Sequence, residues 1–129
     1  MKEPILVIDD NPANATLLTF LLAEEGYDAR SVADAHEALT QLESFEPKLI
    51  MMDIQLPGMD GLELTRRLKA DARWQNVLIV ALTAYAMKGD EERARAAGCD
   101  AYISKPIDTR TLPARIADLL EVHKRKSSS

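Results

Sequence analysis

Five short strand-like runs, four of them apolar, punctuate this chain, and the segment after each one carries helix spacing or helix caps. The runs are Ile5–Ile8, Asp28–Val32, Leu49–Met52, Val77–Leu82 and Ala101–Ser104. Runs of this length bounded by turn residues suit strands, and the most apolar of them suit strands buried on both faces. Five strands alternating with five helices require a parallel sheet covered on both sides. Right-handed crossovers then leave few arrangements. The polar run Asp28–Val32 belongs at an edge and the apolar first, third and fourth runs belong inside. The expected fold is therefore α/β, a doubly wound five-stranded parallel sheet in the order 2-1-3-4-5 with five flanking helices.

Local signals set the helix boundaries. Asn11 and Pro12 read as N-cap and first helical residue, and Gly26 ends that helix near Glu25. Asp34-Ala-His-Glu37 has capping-box spacing and opens a helix that should run until Pro47 stops it. Pro57 and Gly58 force a turn, after which Asp60-Gly-Leu-Glu63 opens a helix from about Leu62 to Ala70. A charged helix runs up to Gly98. The last helix starts near Thr109 or Thr111, with Pro113 in its first turn and Ile116, Leu119 and Leu120 at core spacing.

The 129 residues suit one domain over residues 1–123, followed by a flexible basic and serine-rich tail at 124–129. A net charge of −5 argues against direct nucleic-acid binding by the folded body. The apolar run that follows Met1-Lys-Glu-Pro4 is too short for a signal peptide or a membrane span, so a cytoplasmic location is expected. The single cysteine, Cys99, rules out an internal disulfide and reads as a buried inert thiol. His36 and His123 read as solvated, and Trp74 as a packing lid on a loop.

The functional signal lies at the strand ends. In a parallel sheet all carboxyl ends emerge on one side, so Asp9 and Asp10, Asp53, Thr83 and Lys105 converge there. Strands one and three, which deliver the acids, flank the point where the strand order reverses, the usual ligand crevice of such sheets. Three acids in one crevice repel each other by roughly 4 kcal/mol per close pair. Either one carboxyl stays protonated or a cation binds. Oxygen donors without histidine or cysteine point to Mg2+ or Mn2+. A divalent ion, an ammonium from Lys105 and a hydroxyl from Thr83 around one carboxylate would cradle a phosphoryl group, and the carboxylate would carry it as an aspartyl phosphate.

Ile8-Asp-Asp-Asn11, Met52-Asp-Ile-Gln-Leu-Pro-Gly-Met-Asp-Gly61, Ala81-Leu-Thr-Ala84 and Tyr102-Ile-Ser-Lys-Pro106 together resemble a response-regulator receiver domain, over residues from about 4 to 122. The resemblance implies a flavodoxin-like fold and a two-component phosphorelay module without a separate enzymatic activity beyond its own phosphoryl transfer and slow self-dephosphorylation. It implies Asp53 as phosphoacceptor, with Mg2+ held by the side chains of Asp10 and Asp53, the backbone carbonyl of Gln55, and Asp9 mostly through water. Thr83 and Lys105 would hold phosphoryl oxygens, and the Lys105-Pro106 bond would be cis. Thr83 and Tyr102 would form the switch read out by the face of helix four, strand five and helix five. Gln55 and Tyr85 occupy positions that influence hydrolysis of the acyl phosphate. The implied partners are a histidine kinase or histidine phosphotransfer protein and a downstream protein target.

The first helix has more apolar residues than one stripe requires. Leu17, Phe20 and Leu21 suffice for a core face, leaving Ala15, Leu18 and Leu22, with Pro106 at the rim, as an expected docking surface for the phosphodonor. A haloacid-dehalogenase-like phosphatase is disfavoured because it needs a second acid two residues after the nucleophile, where this chain has Gln55. A nucleotide binder is disfavoured because Asp9 and Asp10 would repel a phosphate after strand one. An interaction module that has lost phosphorylation is disfavoured because no acid, hydroxyl or lysine is missing. A chain ending soon after helix five reads as a stand-alone regulator or a receiver excised from a hybrid kinase.

Overall fold

The structure is a computed structural model that describes residues 3–56, 60–83 and 89–127. The elements alternate along the chain as β1 (Pro4–Ile8), α1 (Pro12–Glu24), β2 (Asp28–Val32), α2 (Ala35–Gln41), β3 (Leu49–Asp53), α3 (Gly61–Ala70), β4 (Leu78–Thr83), α4 (Asp90–Ala97), β5 (Ala101–Ser104) and α5 (Leu112–Ser127). The sheet is parallel throughout, with the order β2-β1-β3-β4-β5. The polar second strand is at an edge, as its composition requires.

Alternation along each strand divides the core into two layers. Leu6 and Ile8, Ile50 and Met52, and Ile79 and Ala81 face one way and pack with Ala35 and Ala38 of α2, Leu64 and Leu68 of α3 and Ala94 of α4. Ile5 and Val7, Leu49 and Met51, and Val80 and Leu82 face the other way and pack with Leu18 and Leu22 of α1 and Ile116 and Leu120 of α5. Every one of these strand side chains is at most 5% exposed. Central strands buried on both faces therefore read as continuous apolar runs.

The predicted caps form. Asn11 Oδ1 accepts from the amides of Ala13 and Asn14, Asp34 Oδ1 from Glu37, and Asp60 Oδ1 from Glu63. At the opposite end of the sheet from these strand exits, Lys69 Nζ donates to Val77 O at 2.6 Å and to Asp100 Oδ2 at 3.1 Å. Asp100 Oδ2 also accepts from Ile79 N at 2.9 Å, so α3, β4 and the entry to β5 are tied together there.

Three expectations need correction. The second helix stops at Gln41, well short of Pro47. Leu42 and Phe45 turn into the core, and the released carbonyls of Thr40 and Gln41 accept from Glu43 N and Ser44 N in a tightened last turn. The face of α1 is also turned from that expected, although Leu21 is half-buried and packs on the core as foreseen. Ala15, Leu18 and Leu22 are its buried residues, while Leu17 is 36% and Phe20 60% exposed. Ala15, Leu18 and Leu22 are thus core residues closed to a partner. Finally, α5 continues to Ser127, through much of the segment expected as a tail. The expected turn at Pro57 and Gly58, and Ala84, lie outside the described residues.

Candidate functional site

Strand register assembles the site. Ile8 pairs with Met52, which places Asp9 beside Asp53 where the two strands end. Asp53 pairs with Leu82, so the next residue of β4, the buried Thr83, lies at the same rim. Thr83 in turn pairs with Ser104, and Lys105 N donates to Thr83 O at 2.6 Å. The bond from Lys105 to Pro106 is cis, as expected, and Pro106 is exposed.

Asp9 and Asp53 use their carboxylates in the same way. Each Oδ1 accepts from the amide two residues on, Asn11 N at 2.9 Å and Gln55 N at 2.9 Å. This local turn fixes the carboxylate plane and leaves each Oδ2 facing Lys105. Lys105 Nζ stands 3.0 Å from Asp9 Oδ2 and 3.2 Å from Asp53 Oδ2. The contact to Asp53 is an aligned hydrogen bond. Asp9 Oδ2, in a residue only 2% exposed, has the ion pair with Lys105 but no aligned hydrogen bond among the described residues. A buried carboxylate oxygen so placed retains coordinating capacity.

One oxygen each from Asp9, Asp10 and Asp53 lie within 4.8 Å of one another. Asp10 is exposed, whereas Asp9 and Asp53 are buried, so the cluster opens to solvent on one side. The donors are hard oxygens spaced for one small divalent cation, and the residues fit Mg2+. An open cleft lined by Asp9, Asp10, Thr16, Ser31 and Glu37 adjoins them between α1, β2 and α2.

Burial pushes the Asp53 carboxyl above its ordinary range and the Asp9 charge adds to this, against the lowering effects of the Gln55 amide and Lys105. Burial would lower the Lys105 ammonium, but its contacts with Asp9 and Asp53 prevail and raise it. A raised carboxyl means that the folded protein holds the Asp53 proton more tightly than the unfolded chain. The resulting stability is complete below the ordinary carboxylate range and is lost as pH rises through the raised value. Lys105 contributes stability below the ordinary lysine range that is lost as pH climbs through its own raised value. Urea midpoints measured in chelator are therefore expected to fall as pH goes from the carboxylate range to neutral. Asp53→Asn should flatten that slope, and an equal slope in both proteins would contradict the assignment to Asp53.

Tyr102 is half-buried, with its phenol beside the Thr83 side chain. Burial raises the phenol, with Asp90 of α4 adding to the effect. Tyr102 thus neighbours Thr83 at the rim and feels the Asp90 charge of α4. Gln55 is exposed and presents its amide to Asp53. Tyr85 lies outside the described residues. His36 is exposed while His123 is half-buried, Trp74 is buried, and Cys99 is a buried thiol pushed up by burial and bonded to Thr65 Oγ1. Among the described residues no helix is long and apolar enough to cross a membrane.

One participant is absent from the residue set read from sequence. The backbone of Gly61 lies directly against that of Asp53 and Ile54. The available signal was the glycine itself, a poor helix former placed inside a capping box.

Residues 5–117 match the response regulator receiver domain family. The polar-differentiation response regulator DivK of Brucella ovis is 45% identical over 107 residues, covering 83% of this chain and 87% of that one. A CheY-like receiver domain protein from Methanospirillum hungatei superposes with a TM-score of 0.89 at 30% identity, over 98% of this chain and 99% of that one. The receiver domain of sensor histidine kinase PA1611 from Pseudomonas aeruginosa, crystallised with a magnesium ion coordinated in its active-site cleft, has a TM-score of 0.78 at 34% identity over 100% of both chains. With the match spanning most of the sequence and the fold and strand order in agreement, the chain belongs to the response regulator receiver domain family of two-component signalling.

Proposed function

We propose that this protein accepts a phosphoryl group on Asp53 from the phosphohistidine of a histidine kinase or histidine phosphotransfer protein, in a Mg2+-dependent reaction. The observation that carries the reading is the Lys105 ammonium, 3.0 Å from Asp9 Oδ2 and 3.2 Å from Asp53 Oδ2, at a rim that also holds Asp10 and Thr83. A carboxylate oxygen of Asp53 attacks phosphorus as the P–N bond of the donor breaks. The electron pair remains on the imidazole nitrogen and an acyl phosphate forms. Asp9, Asp10 and Asp53 would hold the Mg2+ together with the Gln55 carbonyl. The bound cation supplies charge neutralisation between the carboxylates and the entering phosphoryl oxygens. The magnesium ion in the active-site cleft of the PA1611 receiver supports a Mg2+ site in this cleft.

Lys105 and Thr83 supply a cation and a hydroxyl to phosphoryl oxygens. Transferring Lys105 from carboxylates to phosphate, with Thr83 drawn the same way, alters the surroundings of the neighbouring Tyr102 phenol and hence the face of α4, β5 and α5 presented to a protein target. Gln55 and Tyr85 stand at the sequence positions that, by the family resemblance, tune the slow hydrolysis of the acyl phosphate. The reading places the protein in the cytoplasm with its kinase.

Incubation with radiolabelled acetyl phosphate tests the reading. The expected result is one base-labile phosphate per chain, formed with Mg2+ and suppressed by chelator. Absence of label, or equal label in chelator, would overturn it.

A further inference from the structure

We infer that Gly61 is a positioning residue for phosphoryl transfer, because the absence of a side chain there lets α3 seat against the peptide that aims Asp53. The inference deepens the proposed function and rests on Asp53 being the phosphoacceptor.

A Cβ built on Gly61 would collide with the Asp53 carbonyl oxygen and would lie 2.7 Å from Ile54 Cα and 3.0 Å from Asp53 C. All three are backbone atoms, so no side chain can swing aside. Gly61 N also donates to Ile54 O at 3.1 Å, so the first turn of α3 is bonded to the segment that it presses on. Both partners are held from behind. Leu62 and Leu64 bury the start of α3, while Ile54 N donates to Leu82 O at 3.1 Å beyond the end of β3. A second tie comes from within the layer, where Thr65 Oγ1 donates to Gly61 O at 2.8 Å and accepts from Cys99 Sγ at 3.8 Å.

The segment under pressure sets the reactive carboxylate. Asp53 Oδ1 is aimed by Gln55 N, and Oδ2 by Lys105. Relieving the collision requires relative movement of about 1 Å between Gly61 and the Asp53–Ile54 peptide, and an error of that size in reacting geometry costs about 10²-fold in rate. Glycine at this position is thus required by close backbone approach, since an ordinary helical conformation would admit alanine and gain from it.

The test compares Gly61→Ala with Leu68→Ala, a buried change farther along α3 that destabilises without touching Asp53. Labelling by acetyl phosphate with Mg2+ is measured per folded molecule, and the Gln55 amide proton is followed by NMR without phosphodonor. Gly61→Ala is expected to slow labelling about 10²-fold and to displace the Gln55 amide resonance, whereas Leu68→Ala leaves both at parent values. If Gly61→Ala does not fold, Thr65→Val, which removes the second tie, is expected to give a several-fold slowing and a smaller displacement of the same resonance. Parent-like rates and an unmoved Gln55 resonance in the folded variant overturn the inference, as does equal slowing by Leu68→Ala. A parent protein that takes no label sinks the phosphoacceptor reading instead, and the Gln55 comparison still decides whether Gly61 positions the carboxylate.

Discussion

Asp53→Asn is expected to reduce phosphate incorporation to background while leaving the protein folded and slightly more stable at neutral pH. The loss follows from the chemistry, since an amide oxygen is a poor nucleophile and cannot carry an acyl phosphate. The gain follows from the site. Asp53 is only 5% exposed and has a carboxylate oxygen within 4.8 Å of one from Asp9. Two like charges at that separation repel by roughly 3 kcal/mol at an effective dielectric of about 20, and the single Lys105 offsets only part of this. Asparagine is nearly isosteric, keeps an oxygen for Gln55 N, and leaves Asp9 paired with Lys105. A net gain on the order of 1 kcal/mol, or about 4 °C in Tm, is expected in chelator. Mg2+ should reverse the comparison by stabilising the parent more, because a ligand that binds only the folded state adds stability in proportion to its affinity. Labelling of Asp53→Asn at the parent level would refute the assignment, and strong destabilisation would show that the carboxylate is needed to hold Lys105.

The second large effect concerns the helix whose face sequence periodicity misassigned. Leu18 is fully buried against the sheet with Leu22, Val7 and Met51. Leu18→Ala should cost about 2–5 kcal/mol, a large share of the stability of a domain of this size, and lower Tm by roughly 10 °C or more. Phe20 is 60% exposed, and Phe20→Ala should change stability by less than about 0.5 kcal/mol. Urea unfolding of the two variants checks the orientation of α1, and similar losses would reverse it. Phe20→Ala is then the change suited to asking whether this helix meets the phosphodonor, since it leaves the fold intact.

That misassignment has a physical origin. Positions 15, 18 and 22 and positions 17, 20 and 21 both have helical face spacing, and no charged residue occurs from Asn11 to Ala23 to mark the solvent side. Only the packing of α1 on the sheet decides between them. The second helix was overextended for a related reason. Pro47 gives an upper limit to a helix, but the actual stop was set by Leu42 and Phe45 turning into the core, a tertiary event. Strand order and strand ends were legible because they depend on burial contrast. The polar Asp28–Val32 could only be an edge, given the apolar runs Ile5–Ile8 and Leu49–Met52, and the acids stood at the point where each of those runs stopped. The contact of Lys105 with both Asp9 and Asp53 followed from register. The close approach of Gly61 to Asp53 was not legible, because it depends on how far α3 descends onto the rim.

Trp74, the sole tryptophan, is buried in the loop that leads from α3 into β4. It lies at the rear of the sheet, just before β4 begins, the whole length of a strand away from the acids. Its emission is consequently expected to report global unfolding and to stay unchanged when the front of the molecule is loaded, so melting curves taken in apo and liganded states should share one optical baseline.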